Sequence, residues 1–242
     1  MPHRVDRILL VASAYDHFIL AEDGQLTERV LSEFLDLGLR HTPDLMRVST
    51  GDEALAAAFG DWPHDLIIAT PHVGDMNAAE LTRLLRIGGR DTPVVLLGYD
   101  ARELADFVAR NDMSQIDRTF LWQGDVRILL AIVKYIEDKQ NLAHDVGAGV
   151  PLILIVEDNV RYYSSFLPMI YTELLRHSQA LIAEGLNLSH KIVRMRARPK
   201  LVLASRFEEA WGTFTAYMDG VLGVISDIEF EREGGNSPPC RP

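Results

Sequence analysis

The sequence is poor in cysteine, in basic residues and in long apolar runs, and each shortage excludes a class of protein. A single cysteine, Cys240, cannot form a disulfide within the chain, so a reducing, cytoplasmic compartment is expected. Lysine and arginine number 24 against 35 acidic residues, and the net charge of −11 disfavours nucleic acid and anionic membranes as general partners. No apolar run approaches the ~20 residues of a membrane helix, and the N-terminus lacks a signal peptide's apolar core. What remains is a chain of 242 residues with an ordinary apolar content of 48%, enough for one or two globular domains.

Two apolar strands in the C-terminal half end in carboxylates. Leu152–Val156 runs directly into Glu157 and Asp158, and Val224–Ser226 runs into Asp227. The carboxyl ends of parallel strands meet at one edge of a sheet, where open α/β folds bind their ligands. Carboxylate oxygens suit Mg²⁺, which takes one or two protein carboxylates and keeps several waters. The pattern therefore predicts a cation site with the arrangement of a phosphoacceptor aspartate, in which a phosphate could complete the metal's shell.

The same pattern of apolar strands occurs earlier in the chain, but there the strands are not followed by acids. The strand that ends at Val11 is followed by Ala12 and Ser13, and the strand Asp65–Ala69 is followed by Thr70. These positions correspond to the three acids of the later copy, at offsets of 145 residues for the first strand (156 − 11) and 157 for the third (227 − 70). The difference of 12 residues (157 − 145) places an insertion between the first helix and the second strand of the later copy. We therefore predict an internal duplication in which one copy has kept the acids and the other has lost them.

Strands and helices alternate along the first 140 residues, which predicts parallel β-α-β units and an α/β fold. The predicted strands are 7–13, Leu45–Val48, Asp65–Ala69, Pro93–Leu97 and Arg118–Trp122. The predicted helices are a stripe from Leu26 to Leu37 with Gly38 as C-cap, Asp52–Phe59, Asn77 to about Arg86, a helix starting at Asp100, and Asp125–Lys139.

The C-terminal half repeats the beginning of this pattern and then stops. A long helix carries an apolar stripe from Tyr163 to Leu181, and Pro168 should kink it unless the proline lies in the first turn. A helical segment at Leu188–Ala197, a strand at Leu201–Ala204, a helix at Phe207–Tyr217 and a strand at Leu222–Ser226 follow in that order. The predicted organisation is a first domain at 1–140, a linker at 141–150, a second domain at 151–233 and a disorder-prone tail at 234–242.

These residues resemble the receiver domain of bacterial response regulators, a flavodoxin-like doubly wound parallel sheet with strand order 2-1-3-4-5. The second unit resembles it through Leu154–Asp158 and Ile225–Ile228. In that family the acidic pair binds Mg²⁺, and the aspartate after the third strand accepts a phosphoryl group from a phosphohistidine kinase. The resemblance therefore implies Glu157, Asp158 and Asp227 as metal ligands and Asp227 as phosphoacceptor. Any Mg²⁺ binding is expected to be weak and confined to this unit.

The first unit resembles a complete receiver over about residues 5–140 and departs from it at each functional position. Ala12 and Ser13 stand where the family has its acidic pair, and Thr70 stands at the phosphoacceptor. Gly98 replaces the switch serine or threonine, and Trp122 replaces the lysine after strand five. The resemblance thus implies a pseudo-receiver, which has the fold without the phosphoryl chemistry.

The second unit is incomplete by the same comparison. The family continues with a strand four that carries Ser or Thr and a strand five that carries Lys, and the sequence ends before either. Without these groups the transferred charge loses much of its electrostatic stabilisation. The whole arrangement is also similar to the N-terminal region of some phosphoenolpyruvate synthase-like proteins, through Tyr135–Asp138, Tyr162–Pro168 and Arg194–Pro199.

Other candidate residues have simple structural interpretations beside the functional ones. Thr70 and His177 could carry phosphate, although a strand-end hydroxyl is commonly a cap and an exposed helical histidine is commonly only solvated. His64 and His72 lack partners at zinc-ligand spacing. The basic run His190–Lys200 is by default a solvated surface, and its alternative role is docking to an acidic partner domain, because a nucleic-acid site would interleave aromatic residues.

We expect a phosphorelay signalling module that acts through protein contacts with a histidine kinase or a downstream enzyme domain, and not a free-standing enzyme. The alternatives are a detached regulatory region of a larger phosphoenolpyruvate synthase-like enzyme and a structural dimerisation unit. A missing strand four would leave the edge strand Leu222–Ser226 unpaired, and the stripe Tyr163–Leu181 exceeds what three strands can bury. We therefore expect a homo-oligomer that forms through the second domain, without nucleic acid or membrane as partners.

Overall fold

The computed structural model describes residues 2–16, 26–37, 39, 42–184 and 198–228. These residues form an N-terminal unit, Arg4–Ile136, and a C-terminal unit that begins at Glu137 and also takes in His3. No helix among them is both long and apolar enough to cross a membrane. The predicted C-cap Gly38, the predicted helix Leu188–Ala197 and the predicted tail at 234–242 lie outside the described residues.

The N-terminal unit is a five-stranded parallel sheet with connecting helices. Its long strands are β1 (Arg7–Val11), β2 (Asp44–Val48), β3 (Leu66–Ala69), β6 (Val94–Gly98) and β7 (Arg118–Leu121). Its helices are α1 (Leu26–Asp36), α2 (Gly51–Phe59), α3 (Ala78–Ile87), α4 (Ala101–Arg110) and the first part of α5 (Arg127–Gly147). The sheet order β2-β1-β3-β6-β7 is 2-1-3-4-5 when the long strands are counted in chain order, which confirms the predicted flavodoxin-like fold. A short antiparallel pair, β4 (His72–Val73) and β5 (Met76–Asn77), was not predicted.

Capping side chains and apolar periodicity place these helices as predicted. The side chain of Asn77 accepts a hydrogen bond from the amide of Glu80, and Asp100 accepts from the amides two and three residues on. Each such cap stabilises its helix by about 1 kcal/mol. The predicted stripe Leu26, Val30, Phe34 and Leu37 is buried, and so is the whole of the central strand β3.

The C-terminal unit is a three-stranded parallel sheet that repeats the first part of the same fold. Its elements are β8 (Leu152–Val156), α6 (Val160–Glu184), β9 (Lys200–Ala204), α7 (Phe207–Tyr217), a 3₁₀ turn (Met218–Gly220) and β10 (Val221–Ser226). The sheet order β9-β8-β10 is 2-1-3, so the partial copy predicted from the sequence is present. Its core on the α7 side consists of Leu152, Leu154, Val156, Ala204 and Ala210.

Helix α5 is longer than predicted. The prediction that it ends near Lys139 is wrong, because the helix continues to Gly147 and includes most of the predicted linker. The physical reason is burial, since Asn141 and Asp145 in the added part of the helix are buried in the C-terminal unit. The described residues divide between Ile136 and Glu137, inside this helix, and a domain limit at residue 140 stays a prediction.

Pro168 does not lie in the first turn of α6. The helix begins at Val160, so the proline is inside it, and the helix continues on both sides. Thr172 donates a hydrogen bond from its hydroxyl to the carbonyl of Pro168 at 2.7 Å. Of the predicted stripe Tyr163 and Leu167 are buried, and Phe166, Ile170 and Leu174 are half-buried. Tyr171 and Leu175, which the prediction left out, are buried too, and the side chain of Leu181 lies outside the described residues.

Candidate functional site

Three carboxylates lie together at the carboxyl edge of the C-terminal sheet. Glu157 and Asp158 follow β8, and Asp227 follows β10, its neighbour in the sheet. One oxygen of each carboxylate lies within 4.8 Å of the others. The amide of Asp227 donates to the carbonyl of Val156 at 2.9 Å, which extends the β8–β10 ladder and fixes Asp227 beside Glu157. The structure thus brings together the three acids that the sequence placed at one edge.

Glu157 is the buried member of this acidic cluster, with only 7% of its surface exposed. Burial raises the pKa of Glu157, and the charges of Asp227 and Asp158 raise it further, against the opposing hydrogen bond from the amide of Asn159. The raised pKa reflects first the cost of burying an ionised carboxylate and then the repulsion from two neighbouring acids, and a bound cation would favour the ionised form. The cluster is therefore arranged to gain from a positive ion.

The chemistry of the donors fits Mg²⁺. All three groups are hard carboxylate oxygens, which Mg²⁺ prefers, whereas zinc favours histidine nitrogen and cysteine sulfur. Asp158 and Asp227 are more accessible to solvent than Glu157, so water can complete an octahedral shell. Within the described residues this is the one group of three or more metal-type side chains.

The corresponding edge of the N-terminal sheet carries Ala12, Ser13 and Thr70 at the positions of the three acids. Thr70 follows β3 and is fully buried, and its hydroxyl lies 3.1 Å from a carboxylate oxygen of Asp16 and 3.1 Å from the carbonyl of His72. Ala12 is also fully buried, and the Oγ of Ser13 accepts a hydrogen bond from the amide of Asp16 at 3.1 Å. A hydroxyl that is buried and already bonded is a structural group, so the geometry favours the capping role of Thr70 over a phosphate-carrying one.

Gly98 and Trp122, the other two substituted positions, also have structural roles. A Cβ at Gly98 would lie 2.8 Å from Cδ1 of Leu104, so a switch serine or threonine does not fit unless Leu104 moves. The amide of Trp122 donates to the carbonyl of Gly98 at 2.7 Å and extends the β6–β7 ladder. Beside them, the hydroxyl of Tyr99 donates to the carbonyl of Asp16 at 3.3 Å, and burial, followed by the charge of Asp16, raises the pKa of Tyr99.

A buried ion cluster in the C-terminal unit was not predicted. Asp138 of α5 is fully buried and accepts hydrogen bonds from Arg198, from Lys200 at 3.1 Å and from the amide of Leu201 at 3.0 Å. Lys200 also pairs with Asp145 at 2.8 Å. For Arg198 and Lys200 the default interpretation of the basic run as a solvated surface is wrong, because opposite charges hold both side chains inside the unit. The remainder of the run, His190–Arg196, lies outside the described residues.

Lys200 does not substitute for the missing lysine of a receiver site. It is the first residue of β9, whereas Glu157 and Asp227 follow the last residues of β8 and β10. Because the strands are parallel, Lys200 lies at the opposite edge of the sheet. Among the described residues, the acidic site therefore consists of carboxylates at the carboxyl ends of the strands. The buried Lys200 lies at the amino edge of the same sheet.

Two of the histidine candidates, His72 of β4 and His177 of α6, lie on the surface. His177 is exposed on α6. Nε2 of His72 lies 3.8 Å from a carboxylate oxygen of Glu103, and its ring packs edge-on against Phe107. Neither lies in the acidic cluster.

No family model and no curated protein matches this chain. Solved structures do match, among them the signal receiver domain of an HD domain-containing protein from Pseudomonas fluorescens Pf-5, with 19% identity over 60% of this chain and 96% of that chain and a TM-score of 0.40. The receiver domain of the Francisella response regulator 1452 matches with 18% identity over 55% of this chain and 98% of that chain, with a TM-score of 0.38. An adenylate cyclase from Rhodopirellula baltica matches with 16% identity over 60% of this chain and 96% of that chain, with a TM-score of 0.42. Since these TM-scores are below 0.5, it is the strand order of the sheets that identifies the fold.

Proposed function

We propose that this chain is a phosphorelay regulatory module that acts through contacts with a histidine kinase or a downstream enzyme domain. The C-terminal unit carries the Mg²⁺ and phosphoacceptor chemistry, and the N-terminal unit is a pseudo-receiver that carries none. The observation that supports this division is the contrast between the two carboxyl edges. Three carboxylates lie within 4.8 Å at one edge, and Thr70 and Ala12 are buried at the other.

In this proposal Glu157, Asp158 and Asp227 hold the metal, and Asp227 is the nucleophile. A carboxylate oxygen of Asp227 attacks the phosphorus of the donor, and the leaving group departs with the bonding electron pair, which leaves an acyl phosphate on Asp227. The other oxygen, Oδ1, accepts a hydrogen bond from the amide of Ile228 at 2.6 Å, which orients the carboxylate. Mg²⁺, when bound, neutralises charge on the transferring phosphoryl group.

The proposed metal affinity is no tighter than about millimolar. Mg²⁺ dehydrates reluctantly and binds tightly only where protein and phosphate oxygens fill its shell together. Here the protein supplies carboxylates at an open edge, and the described residues of that edge include no strand beyond β10 that would order Asp227 from the other side. The phosphoryl donor itself would complete the site.

Acetyl phosphate with Mg²⁺ tests the proposal directly. After incubation, intact-mass measurement should show the addition of one phosphoryl group to the wild type and none to Asp227→Asn. Asp219→Asn is the matched control, since Asp219 is an exposed acid of the same unit outside the cluster, and this variant should be modified like the wild type. A mass shift that survives Asp227→Asn, or one that maps to residues 1–140, would contradict the proposal.

We also propose that two copies of the chain associate through β10, and a dimerisation unit is the second candidate function. Among the described residues β10 is bonded only to β8, so its other edge is open. Leu222, Val224 and Ile225 of this strand are 64%, 49% and 52% exposed. An open apolar edge is a template for pairing with a second copy about a two-fold axis.

Light scattering on the full chain tests the association. Wild type should be a dimer at high concentration, and Val224→Lys should be a monomer because a lysine on the edge strand blocks pairing. Met169→Lys is the matched control, since Met169 is a half-exposed apolar residue on α6 and not on β10. A wild type that stays monomeric at every concentration would refute the association.

A further inference from the structure

The same hydrogen bond occurs at the start of α2 and at the start of α7, and it aligns the two helices. In the N-terminal unit the amide of Ser49 donates to Oε2 of Glu53 at 2.9 Å, and in the C-terminal unit the amide of Ser205 donates to Oε2 of Glu209 at 2.9 Å. The two copies of this contact lie 156 positions apart (205 − 49 and 209 − 53). Each residue of α2 therefore has a defined counterpart in α7.

In the N-terminal unit one side of α2 is covered by the segment that follows β3. The side chain of Met76 in β5 occupies the space of a Cβ at Gly51, and the ring of Phe59 occupies the space of a Cβ at Gly88, directly after α3. Gly51, Leu55 and Phe59 are spaced by four residues, so they lie along one side of α2. Since α2 also packs against α3, this is the side that α3 and its flanking residues cover.

The corresponding side of α7 carries stacked aromatic rings. The offset of 156 aligns Phe207 with Gly51 and Trp211 with Leu55. The ring of Trp211 stacks on that of Phe207 with centroids 6.0 Å apart, and on that of Phe214 with centroids 5.9 Å apart. Trp211 is nevertheless 56% exposed, and no helix follows β10 in the described residues, which end at 228. This aromatic stripe, Phe207, Trp211 and Phe214, thus lies where the other unit packs a helix.

The exposed charges of α7 are mostly negative. Glu208 and Glu209 of α7 and Asp219 just after it are exposed, against one exposed arginine, Arg206, at its start. The segment that covers α2 has the opposite charge, because residues 77–90 contain three arginines and one glutamate, a net charge of +2 (3 − 1). Charge complementarity therefore favours a basic helix beside α7.

We propose that the aromatic stripe binds a basic amphipathic helix of a partner protein, in the place that α3 takes beside α2. The apolar face of this helix consists of small and leucine side chains, as the buried face of α3 does with Ala78, Leu81 and Leu85, and it lies on Trp211. Its basic side chains face the exposed acids of α7. A large aromatic side chain at the centre of a contact supplies much of the binding energy of such interfaces. The inference rests on the proposed role in protein contacts, and it names the surface and the kind of partner.

A peptide of this chain provides the probe. Residues 77–90, acetylated and amidated, carry the apolar face and the charge of the helix that covers α2. The protein has three tryptophans, so it gives three indole N–H signals in nuclear magnetic resonance, and Trp211→Phe identifies the one that belongs to Trp211. The peptide should shift that signal of the full chain and leave those of Trp62 and Trp122 unchanged. The expected Kd is on the order of 0.1 mM, since ordering a free helix offsets part of the contact energy.

Two altered peptides separate the apolar contact from the charge. A peptide with Leu81→Gln and Leu85→Gln keeps the helix propensity and the net charge, and should bind at least about tenfold more weakly because its apolar face is lost. A peptide with Arg83→Gln and Arg86→Gln keeps the apolar face and should bind about threefold more weakly, an effect that high salt removes because exposed charges are screened.

Two variants of the protein test the assigned surface by calorimetry. Trp211→Ala should weaken binding of the peptide by about tenfold or more. Trp62→Ala is the matched control, since Trp62 is a 73% exposed tryptophan of the N-terminal unit, and it should bind like the wild type. Amide spectra without peptide show whether each variant is folded. If Trp211→Ala is not, Glu208→Lys, which changes an exposed residue, replaces it and should weaken binding by about threefold or more.

Three results would overturn the proposal. They are the absence of any shift of the Trp211 signal at roughly ten times the expected Kd, equal binding of the peptide that lacks its two leucines, and unchanged affinity in Trp211→Ala. In Val224→Lys, which removes pairing through β10, a Trp211 signal that moves with protein concentration would overturn it too, because a second copy would then cover the stripe. None of these measurements involves Asp227, so peptide binding and acyl phosphate formation can fail independently.

Discussion

The sheets of the two units share the strand order 2-1-3 but carry different residues at the carboxyl edge. In the C-terminal unit the edge holds Glu157, Asp158 and Asp227, and the burial of Glu157 among like charges raises its pKa. In the N-terminal unit the edge holds Thr70 in a hydrogen bond with Asp16, beside the buried Ala12. The comparison shows that the strand order forms without the three acids, and that the residues in their place, Thr70 and Ala12, are buried.

The two third strands differ as much as the two edges. In the N-terminal unit β3 lies between β1 and β6, and each of its four residues is fully buried. In the C-terminal unit β10 has β8 on one side, and Leu222, Val224 and Ile225 are about half exposed or more. Both strands are apolar, so the presence of a neighbouring strand, and not the hydrophobicity of the residues, decides which is buried.

The largest expected effect is on the stability of the C-terminal unit alone. Asp138→Ala leaves Arg198 and Lys200 buried without their shared carboxylate, and should lower the free energy of unfolding of that unit by about 3–5 kcal/mol. Urea titration followed by amide signals from each unit measures this. Asp106→Ala, which removes an exposed ion pair with Arg110, should change stability by less than about 0.5 kcal/mol. Equal destabilisation of the two units by Asp138→Ala would contradict the assignment.

The second effect tests whether the carboxyl edge of the N-terminal sheet tolerates an acid at position 70. Thr70→Asp restores the acid of the other unit but buries a carboxylate beside Asp16, and should destabilise the N-terminal unit by about 2–4 kcal/mol. Thermal unfolding measures the loss, and Thr70→Ser, which keeps the hydroxyl, is the control and should lose less than about 1.5 kcal/mol. A Thr70→Asp protein as stable as the wild type would show that this edge tolerates a charge.

The smallest effect concerns pH and the charge on Glu157. Its folded pKa is raised above the unfolded value, so the free energy of unfolding is highest below the unfolded pKa and falls as pH rises through the folded pKa. Glu157→Gln removes this loss, and without Mg²⁺ it should raise Tm at pH 7 by a few degrees at most, since ~1 kcal/mol is worth about 4–8 °C in a domain of this size. The same variant at pH 3, where both forms are neutral, should match the wild type. A lower Tm for Glu157→Gln at pH 7 would show that the ionised carboxylate stabilises the unit.

The features that could be predicted from the sequence are those that follow from the apolar periodicity of helices and strands or from the geometry of parallel strands. The acidic cluster was predictable because neighbouring parallel strands end at one edge, so Asp227 had to lie near Glu157. The contact between Asp138 and Arg198 was not, because it joins residues 60 positions apart that no spacing rule connects. The true length of α5 was missed for a related reason, since Asn141 and Asp145 resemble polar linker residues until their partners His3 and Lys200 are known. The hairpin of β4 and β5 was missed because two-residue strands are too short to show a period.

The backbone of His3 is tied to the side chain of the buried Asn141, and this has a consequence for the order of folding. The amide of His3 donates to Oδ1 of Asn141 at 2.9 Å, and Nδ2 of Asn141 donates back to the carbonyl of His3 at 2.6 Å. The two residues are 138 positions apart, so during synthesis His3 leaves the ribosome long before its partner exists. The segments from β1 to β7 can assemble in that interval, because their contacts are nearer in sequence and close smaller loops. The two hydrogen bonds between His3 and Asn141 can form only after α5 has emerged, so their formation is a late step of folding.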